Sequence, residues 1–346
     1  MMSNDFKGRF ARVRLGLLPA LFAGIVMVGA APRPADALTI VPHYEGNLTA
    51  GDQGVIQNAI NFYQATFTDP ITVDIEFHFD AAVFGQSFFP VYSVGYGAYK
   101  AALIADAKTA DDATAIASLG PGAAVDPAHG NANISIKPAN GRAVGLATGE
   151  VAICQQLPGG GGFYGGTVDG CIGLGIHSTD PYLQSVVEHE IDEILGLGSG
   201  LQGNGTIFGD RIFPQDLFRW QSAGVRSFAT NPAGGGQNPC PGGTPRAFFS
   251  IDGGVSNLDE FNNCNNGFDY GDWITHNPSQ VQDGQTFELG DPLLNANSPE
   301  ARNLDVIGWD KIQPAAAVPE PASLLLLGTG LISAAAARRR ARNSRK

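Results

Sequence analysis

The chain has 346 residues, with 33 Asp+Glu against 21 Lys+Arg, for a net charge of −12 at pH 7. Its two ends hold 11 of the basic residues and 3 of the acidic ones, so residues 38–313 carry 10 Lys+Arg against 30 Asp+Glu, about −20. A body this acidic repels a nucleic-acid backbone and excludes a polyanion binder, while it leaves carboxylates available for hard cations such as calcium.

The first element is a leader. Arg9, Arg12 and Arg14 precede the apolar run LGLLPALFAGIVMVGAA, and Ala35–Ala37 (ADA) supply small residues at −3 and −1. This pattern predicts a secretory signal peptide over residues 1–37, cut before Leu38, with a retained membrane anchor as the alternative. Export places the mature chain in an oxidising compartment, where Cys154, Cys171, Cys240 and Cys264 predict two disulfides. Three connectivities are open, and the sequence-local one, 154–171 with 240–264, is expected. A zinc site built from all four is disfavoured, because no pair has CXXC-type spacing.

From Thr49 the stretch TAGDQGVIQNAINFYQATF places Val55, Ile56, Ala59, Phe62 and Tyr63 at helical spacing. ITVDIEFHF then alternates, with Ile71, Val73, Ile75, Phe77 and Phe79 on one face and Thr72, Asp74, Glu76 and His78 on the other. It reads as a half-buried strand with His78 solvated. Two helical stretches follow, YGAYKAALIADAK and ADDATAIASLG. RAVGLA and CIGLGI are strand candidates, separated by LPGGGGFYGGTVDG, which reads as a hairpin loop because a phosphate cradle must feed a helix.

The next element is VVEHEIDEILGLGSG, Val186–Gly200. Asp180 and Pro181 supply a start signal for this helix, and GLGSG ends it. An HEXXH zinc helix would place histidines at 189 and 193; here His189 is followed by Glu193. The extended form of that pattern keeps Gly196 and wants a histidine where Ser199 stands. Residues four apart share a helix face, so His189 and Glu193 converge on one ion, and Glu190 reaches a water on it. Imidazole and carboxylate both ligate zinc, and three protein ligands plus water is the catalytic arrangement. The alternative is a solvated acidic face made of Glu188, Glu190, Asp192 and Glu193. Asp216 is the expected third ligand, with Asp210 and His276 as runners-up and His177 behind them. A helix or turn cap is the competing role for Asp216. Two carboxylates and one imidazole are a hard donor set for zinc, which leaves manganese or iron open.

The rest is loop-rich, with AFFSID as a short strand and NLDVIGWD, residues 303–310, as the last element. Ile307 and Trp309 read as core residues. Asn262, Asn263, Asp269 and Asp272 read as a turn-rich loop held by Cys264. Calcium binding is the alternative there, without EF-hand spacing. No GXSXG elbow is present, and bridged cysteines leave no thiol nucleophile.

The ordered set EHEIDEILG, DLFRWQSAGVRSF, FFSIDGG, FNN, YGDW and LDVIGWD resembles a family of bacterial exported zincin-type metalloproteases that carry HEIXE in place of HEXXH. The likeness covers nearly the whole mature chain. It implies His189 and Glu193 as metal ligands and Glu190 as catalytic base, with Leu304 where related enzymes have a methionine turn. After QPAAAV, the tail VPEPASLLLLGTGLISAAAARRRARNSRK combines Pro319–Pro321 (PEP), a short apolar segment Ala322–Ala337 and a basic end. It resembles the PEP-CTERM sorting signal. That likeness implies a Gram-negative source, a transient hold in the inner membrane and an exosortase-type processing enzyme as partner, before release to the cell surface or the medium.

Together these readings predict an α+β fold over residues 38–313: a zincin-like metalloprotease domain with a mixed sheet, an active-site helix and a loop-rich C-terminal half. It lies between a signal peptide, 1–37, and a sorting signal, 314–346. The expected function is zinc-dependent hydrolysis of a peptide or protein substrate bound in a cleft along an edge strand. The alternative is a non-catalytic zincin-like or calcium-dependent binding protein of the cell surface or exopolysaccharide matrix. No nucleic acid is expected as a partner.

Overall fold

The computed structural model describes residues 37–154, 164–202, 207, 209, 211–228, 247–264, 267–274, 279–284, 293–312, 338–340 and 342–344. The expected signal peptide, Cys240, Asp210, His276 and the apolar segment of the tail lie outside them. Strands β1 (Thr39–Glu45) and β2 (Thr72–Phe79) run parallel and are joined by helix α1 (Ala50–Thr66). β2 also pairs in parallel with β6 (Gly170–Leu174), and β3 (Gly85–Phe88) adds antiparallel to β6. The order β1-β2-β6-β3 leaves β3 as a terminal strand of this sheet.

Thr49 fixes where α1 starts. Its hydroxyl accepts from Asp52 N while Asp52 Oδ2 accepts from Thr49 N at 2.8 Å, a reciprocal cap. Of the expected stripe of α1, Ile56, Ala59 and Tyr63 are buried, Ile60 joins them, and Val55 and Phe62 are partly buried. Helix α5 (Leu183–Leu195) packs beside α1 and over β3 and β6. Tyr63 OH ties the two helices, donating to Glu188 O at 2.7 Å and Asp192 Oδ1 at 2.9 Å.

β2 departs from the half-buried expectation. Its polar face is covered as well: Glu76 is fully buried and His78 is 5 % exposed, with His78 Nδ1 2.9 Å from Glu76 Oε2. Part of that cover is the Cys154–Cys171 disulfide, whose two cysteines lie beside Glu76. Cys171 stands opposite Glu76 in the sheet, and Cys154, Val168 and Cys171 form a small apolar cluster on that face. His78 is therefore a packed strand residue, not a solvated one. The expected bridge 154–171 is present. Cys264 is also disulfide-bonded.

The two helical stretches become α2 (Tyr96–Asp106) and α3 (Ala110–Ser118), and CIGLGI supplies β6. RAVGLA is not a strand. Pro138 opens helix α4 (Pro138–Ala143), which takes up the first residues of that segment. β4 (Tyr92–Gly95) and β5 (Asn133–Ile136) form a separate antiparallel pair. Residues 155–163 of the glycine-rich loop lie outside the described ones, but the antiparallel Val151–Val168 bridge closes the base of that loop.

Among the described residues, the C-terminal half is built from short pieces. β7 (Arg219–Ser222), β8 (Val225–Arg226), β9 (Phe248–Phe249) and β10 (Asp259–Glu260) make a small antiparallel sheet. Phe249 and Phe261 pack on the Trp273 ring. Helix α6 (Pro299–Val306) covers NLDV, and Ile307 and Trp309 are core residues as expected. Trp309 Nε1 donates to Leu195 O at 2.8 Å, which fastens the chain end to the C-terminus of α5. The architecture is a mixed α/β fold.

Candidate metal centre

Helix α5 begins at Leu183, two residues after the expected start. Asp180 Oδ1 accepts from Tyr182 N at 3.0 Å and so stabilises the turn before the helix rather than its first turn. The other end is set by Gly196, at φ 140°, a backbone region that L side chains rarely adopt. Lys137 Nζ, fully buried, donates to Glu193 O at 2.6 Å and also to Leu197 O. A cation at a helix C-terminus satisfies orphan carbonyls and opposes the macrodipole. Burial lowers the Lys137 ammonium to about 8, against the pull of Glu193, Asp269, Glu190 and Asp272.

The acidic residues of α5 are not a solvated face. Glu188, Glu190, Asp192 and Glu193 are all at most 6 % exposed. Two of them are structural. Glu188 accepts from Leu294 N at 2.9 Å and from Gln184 Nε2 at 2.9 Å, while Asp192 takes the Tyr63 hydroxyl. The other two face a cleft of about 450 Å³, with β3 on one side and the segments around Asp269 and Asp283 on the other.

In that cleft His189 Nδ1 lies 3.0 Å from Val281 O, so the ring donates there and leaves the Nε2 lone pair facing inward. Nε2 is 3.7 Å from Asp272 Oδ1. One ligand-type atom from each of His189, Glu193 and Asp272 falls within 4.8 Å of the other two. Ser87 on β3 donates its hydroxyl to Glu193 Oε2. Asp272 Oδ2 accepts from Asp269 N at 3.1 Å, whereas Asp272 Oδ1 is buried without a hydrogen-bond partner. Glu190 lies against β3, where a Cβ on Gly85 would stand 2.5 Å from Glu190 Oε1 and 2.5 Å from Val186 Cγ1.

Charge in the cleft is one-sided. Burial, with Glu193 adding to it, pushes the Glu190 carboxyl well above its usual range. Asp269, a surface-exposed residue, rises to about 6, chiefly because Glu193 faces it. Asp272 is pushed well up by burial and by Asp269 and Glu193. Burial pulls the His189 imidazole down, but Glu190 and Glu193 outweigh it and the net shift is upward. Five carboxyls, Glu190, Glu193, Asp269, Asp272 and Asp283, and one imidazole line the cleft, while the nearby Lys137 ammonium is committed to two carbonyls, so the donor set calls for positive charge. A divalent cation beside His189 Nε2, Glu193 and Asp272 Oδ1 would let these acids ionise.

The structure brings His189, Glu190 and Glu193 together and does not bring Asp216 to them. Asp216 is fully buried in the turn after α5. Its oxygens accept from Ser199 Oγ at 2.6 Å, Gly200 N at 2.9 Å and Phe213 N at 3.0 Å. It is a turn cap, and Ser199, at the position of a third histidine, is its donor. The neighbouring Gln215 accepts from Gly198 N and donates to Gly271 O at 2.8 Å, so this turn supports the loop that carries Asp272. His177 is also elsewhere, 2.8 Å from Asp52 Oδ2 at the start of α1. The sequence pattern does not place Asp272, or Asp269 beside it, with His189 and Glu193; it assigns both to a turn-rich loop, with calcium binding as the alternative. The chain order Asp-Tyr-Gly-Asp-Trp held the signal, since Trp273 anchors the loop in the core while both carboxylates turn outward to the cleft.

Residues 317–340 match the PEP-CTERM protein-sorting motif. No curated protein and no solved structure is matched by the chain. Among the described residues, no helix is long and apolar enough to cross a membrane. The motif marks an exported protein with a C-terminal sorting signal, recognised by an exosortase-type processing enzyme.

Proposed function

We propose that the protein is an exported metal-dependent peptidase of zincin type, with His189, Glu193 and Asp272 as metal ligands and Glu190 as general base. The observation that carries this reading is the buried, unpartnered Asp272 Oδ1 facing the inward nitrogen of His189 and the carboxylate of Glu193. Zinc fits the site, and the two-carboxylate set also suits manganese or iron. A divalent ion held there supplies a Lewis acid that lowers the pKa of water toward about 7. Glu190 takes the proton of the attacking water and delivers it to the leaving amine nitrogen. Ser87 holds Glu193 in place, and Val281 O fixes the His189 tautomer. β3, as a terminal strand, offers an edge on which an extended peptide can lie beside Glu190. Before release, residues 322–337 hold the chain transiently in the inner membrane.

The test is the metal content of the exported protein by elemental mass spectrometry, beside His189→Ala, Asp272→Asn and Glu190→Gln. Near one equivalent in wild type, lost in the first two variants, is expected. Glu190→Gln should keep the metal and lose peptide hydrolysis by about 10²–10⁴-fold. A folded wild-type protein that takes up no zinc, manganese or iron overturns the reading and leaves a zincin-like binding protein.

A further inference from the structure

A second group of carboxylates lies away from the cleft and has no part in the proposed hydrolysis. One ligand-type oxygen from each of Asp69, Asp106 and Asp310 falls within 4.8 Å of the other two. The three come from distant parts of the chain. Asp69 is in the connection from α1 to β2, Asp106 is the last residue of α2, and Asp310 follows α6 at the C-terminal end of the fold. Asp69 is 1 % exposed and Asp310 4 % exposed. Asp69 Oδ2 accepts from Asp310 N at 2.9 Å, but Asp69 Oδ1 is buried with no hydrogen-bond partner. An unbonded carboxylate oxygen inside a protein is costly unless something positive meets it.

The end of α2 makes the group more negative still, and one ammonium offsets it only in part. α2 ends at Asp106 with no basic residue in its last turn, so the negative end of its dipole points at the group. Lys108 Nζ pairs with Asp310 Oδ2, yet its side chain is 57 % exposed on a flexible stem. One ammonium against three carboxylates leaves two negative charges, which a divalent cation neutralises. Burial and Asp310 raise Asp69 to about 7, and burial and Asp310 raise Asp106 to about 7 as well. All the donors are oxygen, which selects a hard cation over a thiophilic one. Calcium is the hard cation of extracellular modules, which bind it at about 10⁻⁴–10⁻³ M.

We propose that Asp69, Asp106 and Asp310 form a calcium site that clamps the C-terminal end of the folded domain to the α1–β2 connection and to α2. The end in question already bridges back at Phe67–Lys311. The sorting motif begins at residue 317, a few residues beyond. Calcium taken up after export tightens the point at which the tail leaves the fold.

The test uses the exported protein with His189→Ala, so that the cleft does not contribute, stripped of cations and melted with and without calcium chloride at about 5 mM, above the expected affinity range. The melting temperature should rise by about 3–5 °C. Adding Asp106→Asn, at a partly exposed position, should abolish the rise. Lys108→Ala removes the competing ammonium and should lower the calcium concentration for half the effect about fivefold. No calcium-dependent rise, a rise that survives Asp106→Asn, or an unchanged midpoint in Lys108→Ala overturns the proposal.

Discussion

Replacing Gly85 by alanine tests the contact between the edge strand and the proposed base. The new Cβ would stand 2.5 Å from both Glu190 Oε1 and Val186 Cγ1. Ordinary contact begins near 3.4 Å, so something must yield by about 0.9 Å. The Glu190 carboxylate can swing, but Val186 is β-branched on a helix and holds one χ1 rotamer. β3 therefore lifts as well, and it carries Ser87, the hydrogen-bond donor to Glu193. Overpacking of this kind costs about 1–3 kcal/mol, which lowers the melting temperature by roughly 2–4 °C per kcal/mol for a domain of this size. A catalytic group displaced by about 1 Å costs roughly 10²-fold in rate. The assay is turnover of an internally quenched peptide by Gly85→Ala and wild type, with metal content and thermal melts on the same preparations. Loss of turnover with metal retained is expected. A Gly85→Ala protein with wild-type turnover and an unchanged melt would refute the close packing of Glu190 on β3.

Asp272 and Asp216 should behave oppositely. Asp272→Asn removes a buried acid with one unbonded oxygen and should abolish metal binding while leaving the metal-free melt unchanged or higher; Asp216→Ala strips three donors of their acceptor and should cost about 2–4 kcal/mol while metal binding survives in the folded fraction. Tyr63→Phe leaves Glu188 O and Asp192 Oδ1 without their shared donor, so a loss of about 1–3 kcal/mol by urea unfolding is expected, with metal content unchanged. Finally, the cation-free protein should lose stability as pH rises. Asp269 at about 6, and Asp69, Asp106 and Asp305 at about 7, all sit above the ordinary carboxyl value. Acids with raised folded-state pKa values contribute fully below about pH 4, and that contribution fades as pH climbs through 6 to 7. Melts between pH 5 and 8 in the presence of a chelator should fall steadily; a flat or rising profile would contradict these shifts.

Local pattern made much of the framework legible. The capped amphipathic stretch gave α1, the alternation gave β2, and the glycine after Leu195 marked the end of α5. The pattern could not reveal what covers a second face. Alternation in β2 shows one apolar side, but whether Glu76 and His78 meet water depends on what packs there from elsewhere, such as the Cys154–Cys171 bridge beside Glu76. The same limit applied to the candidate centre. Spacing on a helix puts His189, Glu190 and Glu193 on one side, because i and i+4 are fixed neighbours. The next carboxylate comes from a loop whose position is set by tertiary contacts: Arg219 NH2 on Asn263 Oδ1, Gln215 on Gly271 O, and Trp273 in the aromatic core. Asp216 was the nearer acid in the chain, yet a carboxylate two residues after Pro214 can fold back onto backbone N–H groups and cap its own turn.

The acids of α5 divide by what meets them. Glu188 is answered by Leu294 N and Gln184, so it can be buried at modest cost. Glu190, Glu193 and Asp272 are answered mainly by one another, with the Ser87 hydroxyl and the Asp269 N–H as neutral donors against them. Evolution of stability alone would replace such a cluster with apolar side chains, since burying unpaired acids rarely stabilises a fold. The surrounding structure instead spends fixed elements on keeping it: a cleft-facing glycine on β3, a carbonyl that orients His189, and Gln282 and Glu300 behind that carbonyl's segment. Breaches of packing rules that the rest of the molecule is built to hold are the mark of a working site. The proposed divalent cation is the partner that would answer this cluster.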